Sequence, residues 1–159
     1  MVLDAPPLRI KPVESQKEWE EARSIRHEVF IVEQECAPEE EWDQYEDTSR
    51  HVVGYAGDEP VAVARWRSTA HDGAIVAKLE RFAVRAGHRG RGYGRAMVRF
   101  LIEDASRAGF SVYYLHAQEH LAPFYASFGF RLAGERFMEA NIPHVPMIMT
   151  RSATNMVSE

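Results

Sequence analysis

Residues 79–96, LERFAVRAGHRGRGYGRA, place a strand, a glycine-rich loop and the start of a helix in direct succession. Glycines occupy three loop positions, Gly90, Gly92 and Gly94, where the missing side chain lets the backbone approach a ligand closely. The first N–H groups of a helix have no partners within it, and the helix N-terminus carries a partial positive charge. The segment is therefore predicted to bind an anion.

Arginines add full positive charges to the same loop and favour phosphate as the anion. They are Arg89, Arg91 and Arg95, whose forked donors match phosphate oxygens. A P-loop would need Gly-Lys-Ser/Thr, which the chain lacks. A dinucleotide-binding fingerprint fails because Arg95 stands where its last glycine belongs. The pattern that remains is R-x-x-G-x-G.

Outward from this loop, the chain predicts elements in the order β-α-β-β-β-α-β-α-β-β. Predicted strands cover residues 8–13, 51–55, 60–67, 75–84, 111–117, 130–138 and 145–150, and predicted helices cover residues 15–30, 92–108 and 121–128. The passage from residue 75 to 117 is expected to be a right-handed parallel crossover, and the last hairpin is expected to turn at residues 141–143. The expected fold class is α/β of the mixed α+β kind, with a central mixed, mostly antiparallel sheet and helices on both faces.

Length and composition predict one soluble domain over residues 1–159, with a core at about 8–150 and a polar tail at 151–159. Cys36 is the only cysteine, no apolar run reaches the roughly 20 residues of a membrane span, and no signal peptide is recognisable, so a cytoplasmic location is expected. The net charge of −5 argues against nucleic acid as a partner, and no ligand spacing indicates a metal.

Charge is unevenly distributed along the chain. Residues 33–47, EQECAPEEEWDQYED, hold eight acids and no base; we call them the acidic stretch. Residues 85–99 hold five arginines and no acid. One region therefore suits a cation and the other an anion, although two solvated faces would have the same composition.

A second motif, PFYASFGF, occupies residues 123–130. With R-x-x-G-x-G before it, this segment resembles the F-Y-x-x-F-G-F motif of the GNAT superfamily of acyl-CoA N-acyltransferases. Residues 26–36 (RHEVFIVEQEC) and 134–147, ending in IPHVPM, are similar to the ElaA-like bacterial subgroup. The resemblance covers essentially the whole chain and implies acetyl-CoA as cosubstrate, with no metal.

This resemblance implies a binding site for CoA. Its pyrophosphate would lie on the loop, on Arg89, Gly90, Arg91, Gly92, Tyr93, Gly94 and Arg95. The pantetheine arm would follow the preceding strand at Phe82, Ala83 and Val84, where the N–H groups of Phe82 and Val84 would face the ligand. An amide aimed at the thioester carbonyl would stabilise the developing negative charge. Gln118 stands where the family often has an asparagine that contacts pantetheine.

The family resemblance also suggests which residue is the general acid of the reaction, but it leaves the general base open. Tyr125 is the general-acid candidate, because a tyrosine here protonates the departing thiolate in the family, although it could also be an aromatic packing residue. Glu80 is a base candidate that shares strand parity with Phe82; some relatives place the acidic residue where Lys78 stands, and a salt bridge is the alternative role. His116 is another base candidate or else a core histidine, and water is a third possibility.

The subgroup resemblance and the acidic surroundings suggest an acceptor pocket for a cationic amine. Its candidates are Glu33, Gln34, His51, His116 and His144. Cys36 could carry the acyl group, but no histidine is near it in sequence, and a buried structural thiol is favoured.

The expected reaction is direct attack of a primary amine, on a small molecule or a peptide, on acetyl-CoA in a ternary complex. A non-catalytic acyl-CoA-binding regulatory module is the alternative, which Tyr125 and a carboxylate on the strand disfavour. The sequence leaves the acceptor, the acyl-chain preference and a homodimer open.

Overall fold

The computed structural model describes residues 5–151, which form two compact units. The first unit comprises residues 5–65 and 81–101, and the second comprises residues 66–80 and 102–151. The single domain expected from the sequence stays a prediction. The predicted polar tail lies outside the described residues from position 152 onward. No helix between residues 5 and 151 has the length and apolar character needed to cross a membrane.

Strands and helices alternate much as the sequence predicts. The strands are β1 (Leu8–Pro12), β2 (Arg50–Ala56), β3 (Glu59–His71), β4 (Ala74–Val84), β5 (Val112–Gln118), β6 (Arg131–Leu132), β7 (Phe137–Glu139) and β8 (Ile142–Thr150). The helices are α1 (Gln16–Arg26), α2 (Pro38–Glu41), α3 (Tyr93–Arg107) and α4 (Ala122–Ala126), with a π-helical segment at His27–Glu33 and 3-10 turns at Ala86–His88 and Glu119–Leu121.

Strand pairing defines a mixed sheet. Over the described part of the chain the strand order is β1-β2-β3-β4-β5-β8-β6, and β7 pairs with β8. β1 and β2 are antiparallel, β4 and β5 are parallel, and β5, β6 and β7 are each antiparallel to β8. The parallel pair belongs to the expected strand–helix–strand passage through α3. The mixed, mostly antiparallel sheet is thus confirmed.

Helix α1 begins after Ser15, the residue at which the predicted first helix starts. The Ser15 hydroxyl accepts the N–H of Glu18 at 3.1 Å, which satisfies one of the first-turn donors. The chain stays helical through the π-helical segment, three residues beyond the predicted end at residue 30. The buried cluster that this helix helps to form contains Ala22, Ile25, Val29, Val53, Tyr55, Val63 and Ala83. Burial of this apolar surface, rather than helix propensity, holds α1 in place.

Alternation along β5 separates the core of the second unit from a more polar side. Tyr113, Leu115 and Ala117 are buried, whereas the residues between them are half-buried. The Tyr113 hydroxyl donates to the Phe110 carbonyl at 2.8 Å, so its one polar group is satisfied within the core. The residues that alternate with them are therefore the ones available to a substrate.

The single strand predicted for residues 130–138 is wrong, because the chain breaks there into β6 and β7. An ideal Cβ at Gly134 would lie 2.9 Å from Cγ of Pro146, so the backbone passes close to β8 at this point. The Ala133 N–H donates to the Pro146 carbonyl at 2.8 Å. A side chain at position 134 would clash with Pro146, which explains the glycine between the two strands.

The last hairpin also turns one residue earlier than predicted. Glu139 pairs with Ile142, so the two turn residues are Ala140 and Asn141. Their φ angles are +51° and +63°, as in a two-residue hairpin turn that usually contains glycine. Without a glycine, the sequence gives little sign of this turn.

Candidate active site

The glycine-rich loop has the backbone that its sequence predicts. Gly90 and Gly92 have φ angles of +78° and +82°, which residues with side chains rarely adopt. An ideal Cβ on either glycine would meet no described heavy atom within 4 Å, so both border open space. The Ala96 N–H donates to the Gly92 carbonyl at 3.1 Å and marks the first turn of α3. The N–H groups that precede Ala96 therefore lie at a helix start beside open space, which fits a pyrophosphate.

One loop arginine is held by a carboxylate. Nη1 and Nη2 of Arg89 lie 2.6 and 2.8 Å from the two carboxylate oxygens of Glu33, and Nε donates to the Val84 carbonyl at 2.8 Å. The hydrogen bond from Arg89 lowers the pKa of Glu33 below its ordinary value. Glu33, expected in the acceptor pocket, is thus paired with a residue of the phosphate loop.

Two further loop residues have different surroundings. Arg91 is exposed, and its guanidinium lies 3.4 Å from Nδ1 of His88. Tyr93 is buried, and its hydroxyl donates to the Pro6 carbonyl at 2.6 Å. Tyr93 could therefore offer a ligand its backbone amide while its side chain anchors the segment before β1.

Strand β4 contains a residue in the left-handed region. Arg81 has a φ of +62°, which costs about 1–2 kcal/mol for a residue with a side chain. Its guanidinium lies 3.1 Å from a carboxylate oxygen of Glu41 and 3.1 Å from one of Asp43. Regular alternation is lost at such a residue, so the parity argument that linked Glu80 with Phe82 does not apply.

Arginines of the first unit neutralise the acidic stretch. Arg26 and Arg65 are fully buried. Arg26 lies 2.6 Å from Glu41, Arg65 lies 2.7 Å from Asp43, and both contact Glu46, at 2.7 and 3.2 Å. These three carboxylates find their cations within the chain. The expectation that the acidic stretch suits a cationic substrate loses its support there.

Burial and ion pairing act in opposite directions on two of these carboxyl groups. Burial raises the pKa of Glu41, although the charges of Arg26 and Arg81 oppose the rise. Burial also acts to raise the pKa of Asp43, but the hydrogen bond from Arg65 and the charges around it lower that pKa to about 2. Asp43 therefore stays ionised at neutral pH and keeps two arginines in place.

His51, another acceptor-pocket candidate, packs within the first unit. Its Nε2 lies 2.7 Å from the Glu46 carbonyl, and its ring meets Trp19 edge-on, with centroids 4.6 Å apart. Burial lowers the pKa of His51, which favours the neutral ring. These contacts are those of a histidine that supports the fold.

Gln34 and Cys36 follow the π-helical segment. The Gln34 N–H donates to the Val29 carbonyl at 3.0 Å and closes that segment. Cys36 is half-buried, and its Sγ lies 3.5 Å from the Ala37 carbonyl.

The second unit brings four predicted site residues onto one face of its strands: Glu80, His116, Gln118 and His144. Tyr114, His116 and Gln118 alternate along β5, and His144 of β8 lies opposite Gln118. Lys78 of β4 is in register with Tyr114. We call this surface the polar face; it comprises Lys78, Glu80, Tyr114, His116, Gln118, Glu139 and His144.

Glu80 is held between two cations on the polar face. One carboxylate oxygen lies 2.9 Å from Nε of Arg67, and the other lies 3.2 Å from the Lys78 ammonium. The Glu80 side chain is 9% exposed. Both oxygens are engaged, which matches the salt-bridge role that the sequence left open for Glu80.

His116 is held between a carboxylate and a phenol. Its Nδ1 lies 3.0 Å from Oε1 of Glu139, and its Nε2 lies 3.3 Å from the Tyr114 hydroxyl. The hydrogen bond with His116 lowers the pKa of Glu139, outweighing burial. Sequence reasoning missed Glu139, whose only signal is its alternation with Phe137 just before the last turn.

His144 borders the same carboxylate from β8. Its Nδ1 lies 2.7 Å from the Ile142 carbonyl, and its Nε2 lies 3.9 Å from the second oxygen of Glu139. The His144 ring stacks on Phe137 with centroids 5.9 Å apart. Glu139 is thus flanked by two imidazoles, both from predicted site residues.

Tyr125 lies in the aromatic segment at α4. It is 7% exposed, and its ring meets Phe124 and Phe130 edge-on, with centroids 5.1 and 6.2 Å apart. Burial raises the pKa of Tyr125 above its ordinary value. The phenol therefore keeps its proton at neutral pH, which a general acid requires.

In the described part of the chain, no group of three or more histidine, cysteine or acidic side chains is placed to hold a metal ion. The polar face combines a phenol, an imidazole and a carboxylate, which are groups suited to proton transfer.

The fold is that of an acyl-CoA N-acyltransferase, and comparisons with known proteins agree. A family model described as an acetyltransferase (GNAT) domain matches residues 12–151, so the chain belongs to the GNAT acetyltransferase family and is an acyltransferase. YjcF of Bacillus subtilis, described as an uncharacterized N-acetyltransferase, is 38% identical over 135 residues, which cover 84% of this chain and 94% of YjcF.

ElaA of Escherichia coli supports the subgroup resemblance. It is 34% identical over 125 residues, covering 77% of this chain and 81% of ElaA. Its crystal structure matches with a TM-score of 0.80 over 90% of this chain and 99% of that chain. A GNAT acetyltransferase from Elizabethkingia anophelis, solved with acetyl-CoA bound, shares the fold with a TM-score of 0.69 and 14% identity, covering 91% and 98% of the two chains.

Proposed function

We propose that this acyltransferase transfers an acetyl group from acetyl-CoA to a primary amine of a small molecule or peptide. The observation that carries the proposal is the loop at the start of α3, where Gly90 and Gly92 have positive φ and border open space. The acetyl-CoA bound to the Elizabethkingia relative supports the same donor here. One cysteine in the whole chain suits an enzyme of the reducing cytoplasm.

The glycine-rich loop and the end of β4 before it would hold the donor. The backbone N–H groups from Gly90 to Arg95 would bind the pyrophosphate, together with Arg89 and Arg91. The strand amides of Phe82, Ala83 and Val84 would pair with the pantetheine arm, as an added strand pairs with a sheet edge. Arg89 would have to exchange its contact with Glu33 for one with phosphate.

Tyr125 and the polar face would supply the proton chemistry and part of the acceptor site. Tyr125 would protonate the departing thiolate, and Gln118 would contact the pantetheine amide. His116 and His144 lie on the same face as Gln118 and would border the amine. Glu80, although a base candidate from the sequence, is engaged by Arg67 and Lys78, so we assign it to the shape and charge of the pocket.

A thiol-release assay tests the function. Acetyl-CoA and the purified chain are incubated with a panel of polyamines, amino sugars, small aromatic amines and peptides, and the N-acetylated product is identified by mass spectrometry. We expect release of CoA only when an amine is present. Binding of acetyl-CoA in calorimetry without transfer to any amine would favour the regulatory module instead.

The same assay separates direct transfer from a route through Cys36. Cys36→Ala should keep most of the turnover, because no histidine lies near this cysteine in the sequence to activate its thiol. An acetylated Cys36 in the wild type, together with loss of turnover in the variant, would support an acyl-enzyme.

A further inference from the structure

We propose that His116 is the general base of this reaction. In this proposal, Glu139 orients the imidazole and stabilises its protonated form, and the Tyr114 hydroxyl passes the proton of the amine to Nε2 of His116. The three groups form a continuous chain on the polar face, with Glu139 to His116 at 3.0 Å and His116 to Tyr114 at 3.3 Å. The inference rests on the proposed function and names the acid–base machinery within it.

The contacts of the imidazole fix which nitrogen carries the proton. An ionised carboxylate only accepts hydrogen bonds, so Nδ1 of His116 must carry a hydrogen and donate it to Glu139. Nε2 then keeps its lone pair, which accepts the hydrogen of the Tyr114 hydroxyl. The proton-accepting nitrogen is therefore the one that faces Tyr114.

Glu139 has the features of an orienting carboxylate. Its two oxygens face imidazoles, His116 at 3.0 Å and His144 at 3.9 Å, and its side chain is 45% exposed. Glu80, by contrast, faces Arg67 and Lys78 and is 9% exposed. A carboxylate beside a neutral imidazole stabilises the imidazolium that forms when the ring takes up a proton.

The remaining charges around the chain come from three strands and one turn. His71 of β3 stacks on Tyr114 with centroids 4.2 Å apart, and Asp72 lies 3.5 Å from His71. The titratable and charged groups that face the three residues are His71, Asp72, Lys78, Glu80 and His144.

The ammonium form of the acceptor gives one proton to the Tyr114 oxygen while the Tyr114 proton moves to Nε2 of His116. The neutral nitrogen then forms its bond to the acetyl carbon, and the carbon–sulfur bond breaks. Tyr125 gives its proton to the sulfur and regains one from the nitrogen, and His116 returns its proton to water. The net products are the N-acetyl amide, CoA thiol and one proton.

The test compares Glu139→Gln with the wild type on two acceptors of one carbon skeleton. One acceptor is a basic amine that is charged at the assay pH, and the other is the corresponding hydrazide, which is uncharged. For the charged amine, kcat/KM should fall about 10- to 100-fold, which is less than the roughly 10²- to 10⁴-fold that a general base contributes, because Glu139 acts only through His116. The acid limb of its pH profile should move to lower pH, because the imidazolium loses its anionic partner.

For the uncharged acceptor, the same variant should stay within about threefold of the wild type, since no proton has to leave before attack. His116→Gln should reproduce the selective loss, and Tyr114→Phe should give a smaller one if water can replace the hydroxyl. Glu103→Gln serves as the matched control, because Glu103 is a second-unit carboxylate paired with Arg151 at 3.0 Å.

The outcomes distinguish this inference from the proposed function. Absence of transfer by the wild type would overturn the function itself. Two results would overturn only the proposed roles of Glu139 and His116. One is an equal loss of activity on both acceptors, and the other is unchanged activity of folded Glu139→Gln and His116→Gln. Melting temperature and calorimetric binding of acetyl-CoA identify any variant that fails to fold.

Discussion

Glu33 and Arg89 form a two-point ion pair, with nitrogen–oxygen distances of 2.6 and 2.8 Å. Glu33 ends the π-helical segment, and Arg89 begins the glycine-rich loop. The same guanidinium is proposed to bind the pyrophosphate of CoA. Glu33 therefore occupies the guanidinium N–H donors of Arg89 that a phosphate would use, and it carries a negative charge, as a phosphate does.

Glu33→Gln should strengthen CoA binding. The substitution keeps the size of the side chain but removes the charge that competes with phosphate for Arg89. Exposed ion pairs contribute roughly 0.2–1 kcal/mol, so calorimetry should show an affinity gain of up to about fivefold. Arg89→Gln should weaken binding. A weaker CoA complex with Glu33→Gln would mean that Glu33 positions Arg89 for the ligand and does not compete with it.

The glycine-rich loop allows backbone strain to be separated from ligand contact. Gly92 and Gly57 have φ angles of +82° and +63°, and an ideal Cβ at either meets nothing within 4 Å. Gly92→Ala and Gly57→Ala should therefore each lower the free energy of unfolding by about 1–2 kcal/mol. Only the Gly92 variant should also lose CoA affinity, and Gly92→Asp should lose more because it adds a negative charge. Equal affinities in Gly92→Asp and Gly57→Ala would remove this loop from the binding site.

The buried ion pairs of the first unit predict a pH-dependent stability. The pKa of Asp43 is lowered to about 2 from an ordinary value of 3.8. A carboxyl whose pKa is lower in the folded state stabilises the fold above its unfolded pKa, and the stabilisation is lost as the pH falls towards the folded pKa. Thermal melts of the wild type should therefore decline between about pH 4 and 2. Asp43→Asn should be less stable at pH 7 and show a shallower decline, whereas Asp58→Asn, in the exposed β2–β3 turn, should follow the wild type.

Local patterns predicted the elements well, and long-range partners account for what they missed. The loop at α3 and the start of α1 at Ser15 depend on neighbouring residues, so the sequence alone reveals them. The partner of Glu33 is Arg89, 56 residues away, and the partner of Arg65 is Asp43, 22 residues away. A charge count can show that such groups exist, but it does not show that they neutralise each other.

Strand parity marks a second limit of prediction from local sequence. The sequence argument for Glu80 assumed an extended backbone through position 81, but Arg81 has a φ of +62°. Nothing local indicates this, because arginine has no preference for that region, and the contacts that hold it come from Glu41 and Asp43. Glu139 escaped notice for a related reason, since its partner His116 lies on another strand, 23 residues away.

Tyr125→Phe tests the proposed general acid, because it removes one oxygen and keeps a ring that is packed against Phe124 and Phe130. The kcat should fall about 10²- to 10⁴-fold, the usual contribution of a positioned acid, while acetyl-CoA affinity changes little. Tyr113→Phe is the matched control: it also removes a buried hydroxyl, bonded to Phe110, and should cost about 1 kcal/mol of stability with kcat within a few-fold. A water that replaces the missing hydroxyl would limit the loss to about tenfold, and a leaving group more acidic than the CoA thiol should then restore the rate. A kcat near wild type, with chemistry shown to be rate-limiting, would exclude Tyr125 from the mechanism and leave it as a packing residue.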